Sequence, residues 1–281
     1  MNNQSTTNDV RTTDFQLDVS VVLVNYRTPE LTRACIESVL MHSDDIRYEI
    51  IVVDNHSGDN SVSYLQNLFP DVKFIKNPVN SGFGSGNNLG IRQAKGKYLF
   101  LLNTDTLLKN NSLKIFFDFA ETMGENLKMG TLGCVMSDAA GNIQRSSDEL
   151  PTLWSIVRNT VIGYFSRFVL RKRTSFEQQT IQEGIYFCQT GAIIGADMFI
   201  PGSVLADIGL FDESIFMYFE EMDLQLRMKR RGYLCYLIRG PEIIHLEGGS
   251  SPSFRRYMAY YKSMFYYIWK HYLPRRTNAS R

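Results

Sequence analysis

Tyr98-Leu-Phe-Leu-Leu-Asn-Thr-Asp-Thr-Leu-Leu108 is the stretch whose reading decides the fold. Tyr98 to Leu102 are apolar or aromatic without a break, and they run straight into Asn103, Thr104 and Asp105. So short an apolar run, with no polar alternation, predicts a strand buried on both faces, as in the middle of a parallel sheet. A carboxylate just after such a strand stands at the carboxyl edge of the sheet, where open α/β sheets bind ligands. Asp105 is therefore the first candidate functional residue. The plainer alternative is that it only caps the following turn.

Upstream, Val19 to Val24 is a β-branched run ending at Asn25-Tyr26 and predicts the first strand. Thr28-Pro29 then opens a helix, with Thr28 as its cap and Pro29 in its first turn. Leu31, Cys35, Ile36, Val39 and Leu40 give that helix an inward stripe. Tyr48 to Val53 is a second strand ending at Asp54-Asn55, Asp59 can cap a helix through Leu68, and Val72 to Lys76 is a third strand. The glycine-rich run from Asn80 to Gly90 follows, and its glycines permit tight backbone and close approach to a ligand. A helix is expected to start there near Asn87 or Asn88. This alternation of strand and helix predicts an α/β fold with a mostly parallel sheet flanked by helices.

Beyond Ser112 the pattern is looser. It gives a helix to about Thr122, a strand near Thr131 to Val135, a turn at Gly141-Asn142, and strands at Ile185–Cys188 and Ala192–Ile200. A charged helix from Glu220 to Arg231, strands at Cys235–Ile238 and Ile243–His245, and a last helix from Phe254 to His271 complete the chain. With no repeat and no linker, residues 19–281 are expected to form one domain after a polar, disordered leader at 1–18.

The chain has 281 residues, 44% of them hydrophobic and 21% charged, with a net charge of +1. That balance suits a globular core and gives no case for nucleic acid as a partner. Cys35, Cys134, Cys188 and Cys235 lie far apart without a C-x-x-C pair, which points to reduced, buried thiols in a cytosolic protein. Met1 to Asp18 shows no signal-peptide pattern, and no apolar run approaches the ~20 residues that span a bilayer.

Two carboxylates, Asp54 and Asp105, thus follow parallel strands. A third acidic group, Glu220, Glu221 and Asp223, opens a helix, where the positive end of the helix favours carboxylates in any case. Phe216-Met-Tyr-Phe219 just ahead of it argues against a fully solvated site, and a carboxylate held against aromatic surface becomes a better proton acceptor near neutrality. His245 ends a strand and is followed by Gly248-Gly249; it could complete a metal or phosphate site with Asp105, or be structural. A dinucleotide-binding fingerprint is excluded, because the glycine run follows the third strand and lacks the G-x-G-x-x-G spacing.

Taken in order, the pieces Val21-Val-Leu-Val-Asn-Tyr26, Ile51-Val-Val-Asp-Asn55, Asn80-Ser-Gly-Phe-Gly84, Asn87-Asn-Leu-Gly90, Leu101-Leu-Asn-Thr-Asp105, Gly195-Ala-Asp-Met-Phe199, Gly209-Leu-Phe-Asp-Glu213 and Tyr218-Phe-Glu-Glu-Met-Asp-Leu224, with His245, resemble the inverting family-two glycosyltransferases of GT-A fold. Within these the chain is most similar to the rhamnosyltransferase-like branch that builds bacterial surface polysaccharides. The likeness covers about Val19 to Tyr272. It implies a Rossmann-like nucleotide-sugar half at 19–106, an acceptor and catalytic half at 107–250, and a terminal helix at 251–281.

The resemblance also implies roles. Asp54 would accept from the ring N–H of uracil or thymine, with Val24, Asn25, Tyr26, Gly82, Asn88, Asn103 and Thr104 around the nucleotide. Asp105 matches the last acid of the family's Asp-x-Asp motif and, with His245, would hold Mg²⁺ or Mn²⁺ against the diphosphate. Asn103 replaces the motif's first acid. Glu221 stands where the family's base is usually an aspartate, with Glu220 and Asp223 as alternative bases or acceptor binders. Asp197 lies where the family contacts sugar or acceptor, though a buried structural aspartate is an equal reading. Arg227, one turn after Asp223, is expected to pair with it.

The implied donor is dTDP-rhamnose, with a UDP-hexose as alternative, and the implied acceptor is a glycan or polyprenyl-linked glycan. A non-catalytic nucleotide-sugar-binding subunit is the alternative of another class. In the last helix, Phe254, Tyr257, Met258, Tyr261, Met264, Phe265 and Ile268 form a stripe flanked by Arg255, Arg256, Lys262 and Lys270, with Arg275-Arg276 beyond. That stripe either packs onto the domain or rests on a membrane surface. Trp154 to Leu170, ending in Arg171-Lys-Arg173, is a second membrane candidate. The expected location is cytoplasmic, peripheral on the inner face of the plasma membrane, and a homo-oligomer is compatible with all of this.

Overall fold

The computed structural model describes residues 16–156, 180–182, 185–246 and 254–273. The first half alternates as the sequence predicts: β1 (Leu17–Asn25), α1 (Pro29–His42), β2 (Tyr48–Asp54), α2 (Ser61–Leu68), β3 (Lys73–Lys76), α3 (Phe83–Ile91) and β4 (Gly96–Leu102). Then follow β5 (Thr106–Leu108), α4 (Ser112–Met123), β6 (Met129–Cys134), β7 (Ser147–Asp148), β8 (Thr180–Gln182), β9 (Ile185–Thr190), β10 (Ala192–Ile193) and β11 (Asp197–Pro201). The chain closes with α5 (Gly202–Ile208), α6 (Glu220–Arg230), β12 (Leu234–Ile238), β13 (Ile243–His245) and α7 (Phe254–Tyr272).

The main sheet has nine strands in the order β3-β2-β1-β4-β11-β6-β12-β9-β8. β11 and β9 run against the others. The continuous apolar strands lie in its middle, as expected of strands covered on both faces: Val21, Val22, Phe100 and Leu101 are fully buried. One face packs on α1 and α4 through Cys35, Ile36, Phe116 and Phe119; the other packs on α5 and α6 through Val204, Leu205, Leu224 and Met228. Across β4 and β11, Tyr98 and Phe116 each stack on Phe199, with ring centres 5.0 and 5.4 Å apart. The four cysteines are free and buried.

The glycine run differs from expectation. α3 begins at Phe83, so Gly84, Gly86 and Gly90 lie inside the helix rather than in a loop before it. Glycine weakens a helix interior, and packing supplies the reason for it here. A Cβ at Gly90 would come within 2.4 Å of Val22, and one at Gly84 within 3.0 Å of Phe211. The missing side chains let α3 settle directly onto β1 and onto the segment before α6.

The last helix resolves a choice that the sequence left open. Met264 and Tyr267 are buried against Leu150, Ile156, Ala192, Phe219 and Met222, with Tyr261 and Ile268 packed beside them. Met258, Phe265 and Trp269 stay exposed at 52%, 64% and 56%. The predicted stripe therefore splits, with one side packed on the domain and the other facing solvent. No helix among the described residues is long and apolar enough to cross a membrane. Most of Trp154–Leu170, the Arg171–Arg173 cluster, Gly248-Gly249, Arg275-Arg276 and the first fifteen residues lie outside the described residues.

Candidate active site

β1, β2 and β4 end at the same edge of the sheet, where parallel strands deliver their last residues side by side. Asn25 pairs with Asp54 in the register, and its Nδ2 donates to Asp54 Oδ1 at 2.8 Å. Ser57 closes this knot: its hydroxyl also donates to Asp54 Oδ1, at 2.5 Å, and its amide donates to Oδ2 at 3.1 Å. Arg27 joins through its amide to Ser57 Oγ and through Nε to the Ser57 carbonyl. Asp54 is 8% exposed and held in one orientation, with Oδ2 the less engaged oxygen. A carboxylate accepts several bonds, so Oδ2 retains capacity for a ring N–H. Tyr26 lies exposed beside it.

Asn55 ties this knot to the glycine segment. Its Nδ2 donates to the carbonyl of Gly82, and its Oδ1 accepts from Asn77 Nδ2 and from the Ser81 amide. Gly82 has φ +90°, and a Cβ there would fall 2.0 Å from the carbonyl oxygen of Phe216. The close approach that this glycine allows is thus to protein backbone. Asn88, expected at the nucleotide, is 1% exposed, and both ends of its amide bond Phe211 backbone, with a further bond to Glu213. Asn88 thus locks α3 to the loop before α6.

Asn103, Thr104 and Asp105 follow β4 as half-buried residues. The Asn103 backbone is pinned by Ala196 and Thr106, and the Thr104 hydroxyl lies 3.4 Å from that of Thr28. β5 pairs antiparallel with β13, bringing Thr106 opposite His245. His245 Nε2 consequently lies 3.3 Å from Asp105 Oδ1. One carboxylate and one imidazole form a mixed donor set that suits Mn²⁺ better than the strictly oxygen-seeking Mg²⁺. Among the described residues no group of three or more His, Cys, Asp or Glu is placed to hold a metal ion.

The three acids of α6 have different surroundings. Asp223 is fully buried, takes His271 Nε2 at 2.7 Å and Lys270 Nζ at 2.6 Å on Oδ1, and takes Arg227 Nε at 2.9 Å on Oδ2. Burial alone would raise its carboxyl, but the bonds from His271 and Lys270 and the charge of Arg227 hold it down at about 2. So paired an acid has little basicity, which sets it apart from Glu220 and Glu221. Arg227 pairs with it as expected and also binds the Ile208 and Leu210 carbonyls.

Glu220 is 4% exposed, and its Oε2 has no hydrogen-bond partner among the described residues. Burial, then the neighbouring Glu221 charge, pushes its carboxyl well up. Glu221 is less covered at the surface, and burial raises it too, opposed by Arg145. Two adjacent desolvated carboxyls of this kind have the character of a general acid–base group. The turn that presents them is strained. Tyr218 and Phe219 are both left-handed, at φ 67° and 70°, which costs roughly 1–2 kcal/mol per residue.

Asp197 is fully buried, accepting the Cys134 amide at 2.7 Å with Oδ2, while Oδ1 has no partner among the described residues. Burial pushes it up to about 8. A carboxyl so covered meets no ligand arriving from solvent, which favours the structural alternative over sugar contact. Ser57, Asn55 and Ser263 did not stand out in the sequence as site residues. For the first two a signal existed, since both lie within three residues of Asp54 after a strand. A cavity of about 380 Å³ beside β13, lined by Lys109, Ser137, Glu242 and Ile244, contains none of the predicted residues.

This edge is where comparison with known proteins becomes informative. The family model described as glycosyl transferase family 2 matches residues 20–193. The chain belongs to that family. It is 23% identical over 215 residues to the N-acetylglucosaminyl-diphospho-decaprenol L-rhamnosyltransferase of Mycobacterium tuberculosis strain H37Rv, covering 72% of this chain and 67% of that one. It is 24% identical over 260 residues to rhamnosyltransferase WbbL of Escherichia coli K12, covering 89% and 92%. In structure it is similar to GalNAc-T7, solved with UDP, GalNAc and Mn²⁺, at a TM-score of 0.63 and 15% identity. That match covers 91% of this family-2 chain and about half, 49%, of the GalNAc-T7 chain, and it establishes likeness of fold.

Proposed function

We propose that this family-2 chain is an inverting glycosyltransferase that moves rhamnose from dTDP-rhamnose to a hydroxyl of a glycan or lipid-linked glycan in surface polysaccharide synthesis. One observation carries the proposal: the acid turn packs on the same glycine segment that Asn55 ties to the Asp54 knot. Phe83 N–H donates to the Phe216 carbonyl at 3.1 Å, and Gly84 leaves only 3.4 Å between the Cβ it lacks and Glu220 Cβ. A donor anchored by its base at Asp54 would therefore have its sugar end near the only α6 acids whose carboxyls are raised.

In this reading Asp54 Oδ2 accepts the pyrimidine N–H, with Asn25, Tyr26, Gly82 and Thr104 around the nucleoside. Asp105 and His245 would hold a divalent cation, which would offset charge on the departing nucleoside diphosphate. Glu221 takes the proton from the acceptor hydroxyl as its oxygen attacks the anomeric carbon on the face opposite the leaving group. Such a base typically contributes ~10²–10⁴-fold. Glu220, desolvated beside it and raised further by the Glu221 charge, is the alternative base.

The rhamnosyl donor is supported by the names of both relatives, and a lipid-diphosphate acceptor by that of the Mycobacterium tuberculosis enzyme. A UDP-hexose is the second donor to test, because a carboxylate reading the pyrimidine N–H does not separate uracil from thymine. The exposed Met258-Phe265-Trp269 face, with Lys262 on it, supports peripheral attachment to an anionic membrane.

The test incubates the full chain and Mn²⁺ with dTDP-rhamnose, UDP-glucose or UDP-N-acetylglucosamine and a synthetic N-acetylglucosaminyl diphospholipid. Rhamnosyl transfer with inverted anomeric configuration is expected. Binding of nucleotide without transfer from any donor would favour the non-catalytic subunit. Replacing Met258, Phe265 and Trp269 by Ser should abolish pelleting with anionic liposomes while leaving transfer to a short-chain soluble acceptor intact.

A further inference from the structure

Tyr218 and Phe219 are consecutive non-glycine residues in left-handed backbone, directly ahead of Glu220. A conformation so disfavoured persists only where its surroundings over-determine it. Here the neighbours come from both sides. The Phe216 carbonyl is fixed by the Phe83 amide on the glycine segment. Everything after it is fixed by α7. Ser263, 4% exposed, donates its hydroxyl to the Met217 carbonyl at 2.7 Å. The Phe219 ring lies between Tyr260 and Tyr267, each 5.3 Å away, and Tyr260 also meets Tyr218 at 5.8 Å.

A second set of bonds fixes the far side of the same turn. The Asp223 amide donates to the Phe219 carbonyl, and the Asp223 carboxylate is held by Lys270 and His271. Arg230 approaches His271 Nδ1 at 2.8 Å; a guanidinium can only donate, so Nδ1 accepts and Nε2–H points at Asp223. Lys270 also binds Asp212, as does the Tyr266 hydroxyl. Ser263 and Tyr267 are four residues apart along α7, Lys270 and His271 follow three and four residues later, and together they form the side of the helix turned away from the exposed Phe265 and Trp269.

From this we infer that α7 is the positioning element of the reaction. Ser263, with Tyr260 and Tyr267, locks the left-handed Tyr218-Phe219 pair and so fixes where the Glu220 and Glu221 carboxylates point. The inference rests on the reading of Glu221 as base, and a variant at each position separates the two. Ser263 is the sharpest probe, because its removal takes the hydroxyl from the part-buried Met217 carbonyl while sparing the aromatic packing and the Asp223 ion pairs.

The experiment compares wild type with Ser263→Ala, Ser263→Thr and Glu221→Gln. It measures hydrogen exchange of peptides covering residues 216–224, and kcat and donor KM for transfer from dTDP-rhamnose to the N-acetylglucosaminyl diphospholipid. For Ser263→Ala we expect exchange in that segment to rise at least fivefold while β1 and β4 peptides stay unchanged. We also expect kcat to fall about tenfold with donor KM within twofold, and Ser263→Thr, which keeps the hydroxyl, to restore both. Unchanged exchange in Ser263→Ala would overturn the clamp whatever the activity does. Raised exchange with unchanged kcat would overturn the positioning role while leaving the base assignment to Glu221→Gln. Full activity of Glu221→Gln would overturn the reading on which the inference rests.

Discussion

Asn25, Asp54 and Ser57 hold one another by hydrogen bonds made within a few residues of two neighbouring strand ends. Glu220 and Glu221 follow a turn whose flanks are held by contacts from the far end of the chain, and Glu220 Oε2 has no hydrogen-bond partner among the described residues. The first region is polar, satisfied and fixed by the sheet register. The second is desolvated and strained, and its acids are pushed up by burial. The contrast fits a division of labour. Recognition needs donors and acceptors fixed in advance, whereas proton abstraction near neutrality needs a carboxylate deprived of water.

Variants can break this contrast at either end. The largest effect belongs to the acid turn. Glu221→Gln should lower kcat by at least a hundredfold with donor KM and melting temperature little changed, read by initial rates and thermal unfolding. The base must be deprotonated, so the wild-type rate should fall as pH drops through a midpoint above the ordinary glutamate value of 4.5. Asp105→Ala should lower turnover comparably and remove its response to added Mn²⁺, which titration of the apo protein can follow.

At the donor edge the effect is smaller and of another kind. Asp54→Ala should raise donor KM by ~10–100-fold, the scale of a lost hydrogen bond to a charged group, with kcat within a fewfold. Asp223→Asn acts on the fold and not on the reaction: it is expected to destabilise by about 2 kcal/mol at neutral pH, as measured by urea unfolding. Its folded carboxyl sits at about 2 against an ordinary 3.8, so the contribution is complete above about pH 4. It is lost as pH falls through the folded value. Equal stability of wild type and variant at pH 6 would remove the Asp223 hub from the account.

The same contrast explains what the sequence made legible. Val19–Val24, Tyr48–Val53 and Tyr98–Leu102 announce themselves as central strands because burial on both faces leaves a local apolar signature. Asp54 and Asp105 inherit their positions from those strands. The pairing of β5 with β13, which brings His245 to Asp105, joins segments far apart in the chain; residue type hints at it, but no local pattern encodes it. Asn88, an Asn in a glycine-rich run, reads in the sequence as a ligand contact, while the partner it has in the fold, the Phe211 backbone, lies 123 residues away. Asp223 looked like a third acid beside two others, and only its three basic partners, two of them on α7, set it apart.

Most direct for the central claim, that Asp54, the Asp105–His245 pair and Glu221 line one donor site, is the crystal structure of the chain soaked with dTDP and Mn²⁺. The account predicts the pyrimidine N–H on Asp54, the ion between Asp105, His245 and the diphosphate, and the Glu221 carboxylate facing the space beyond the terminal phosphate. Manganese bound elsewhere, or Glu221 opening onto a different surface from the diphosphate, would contradict it.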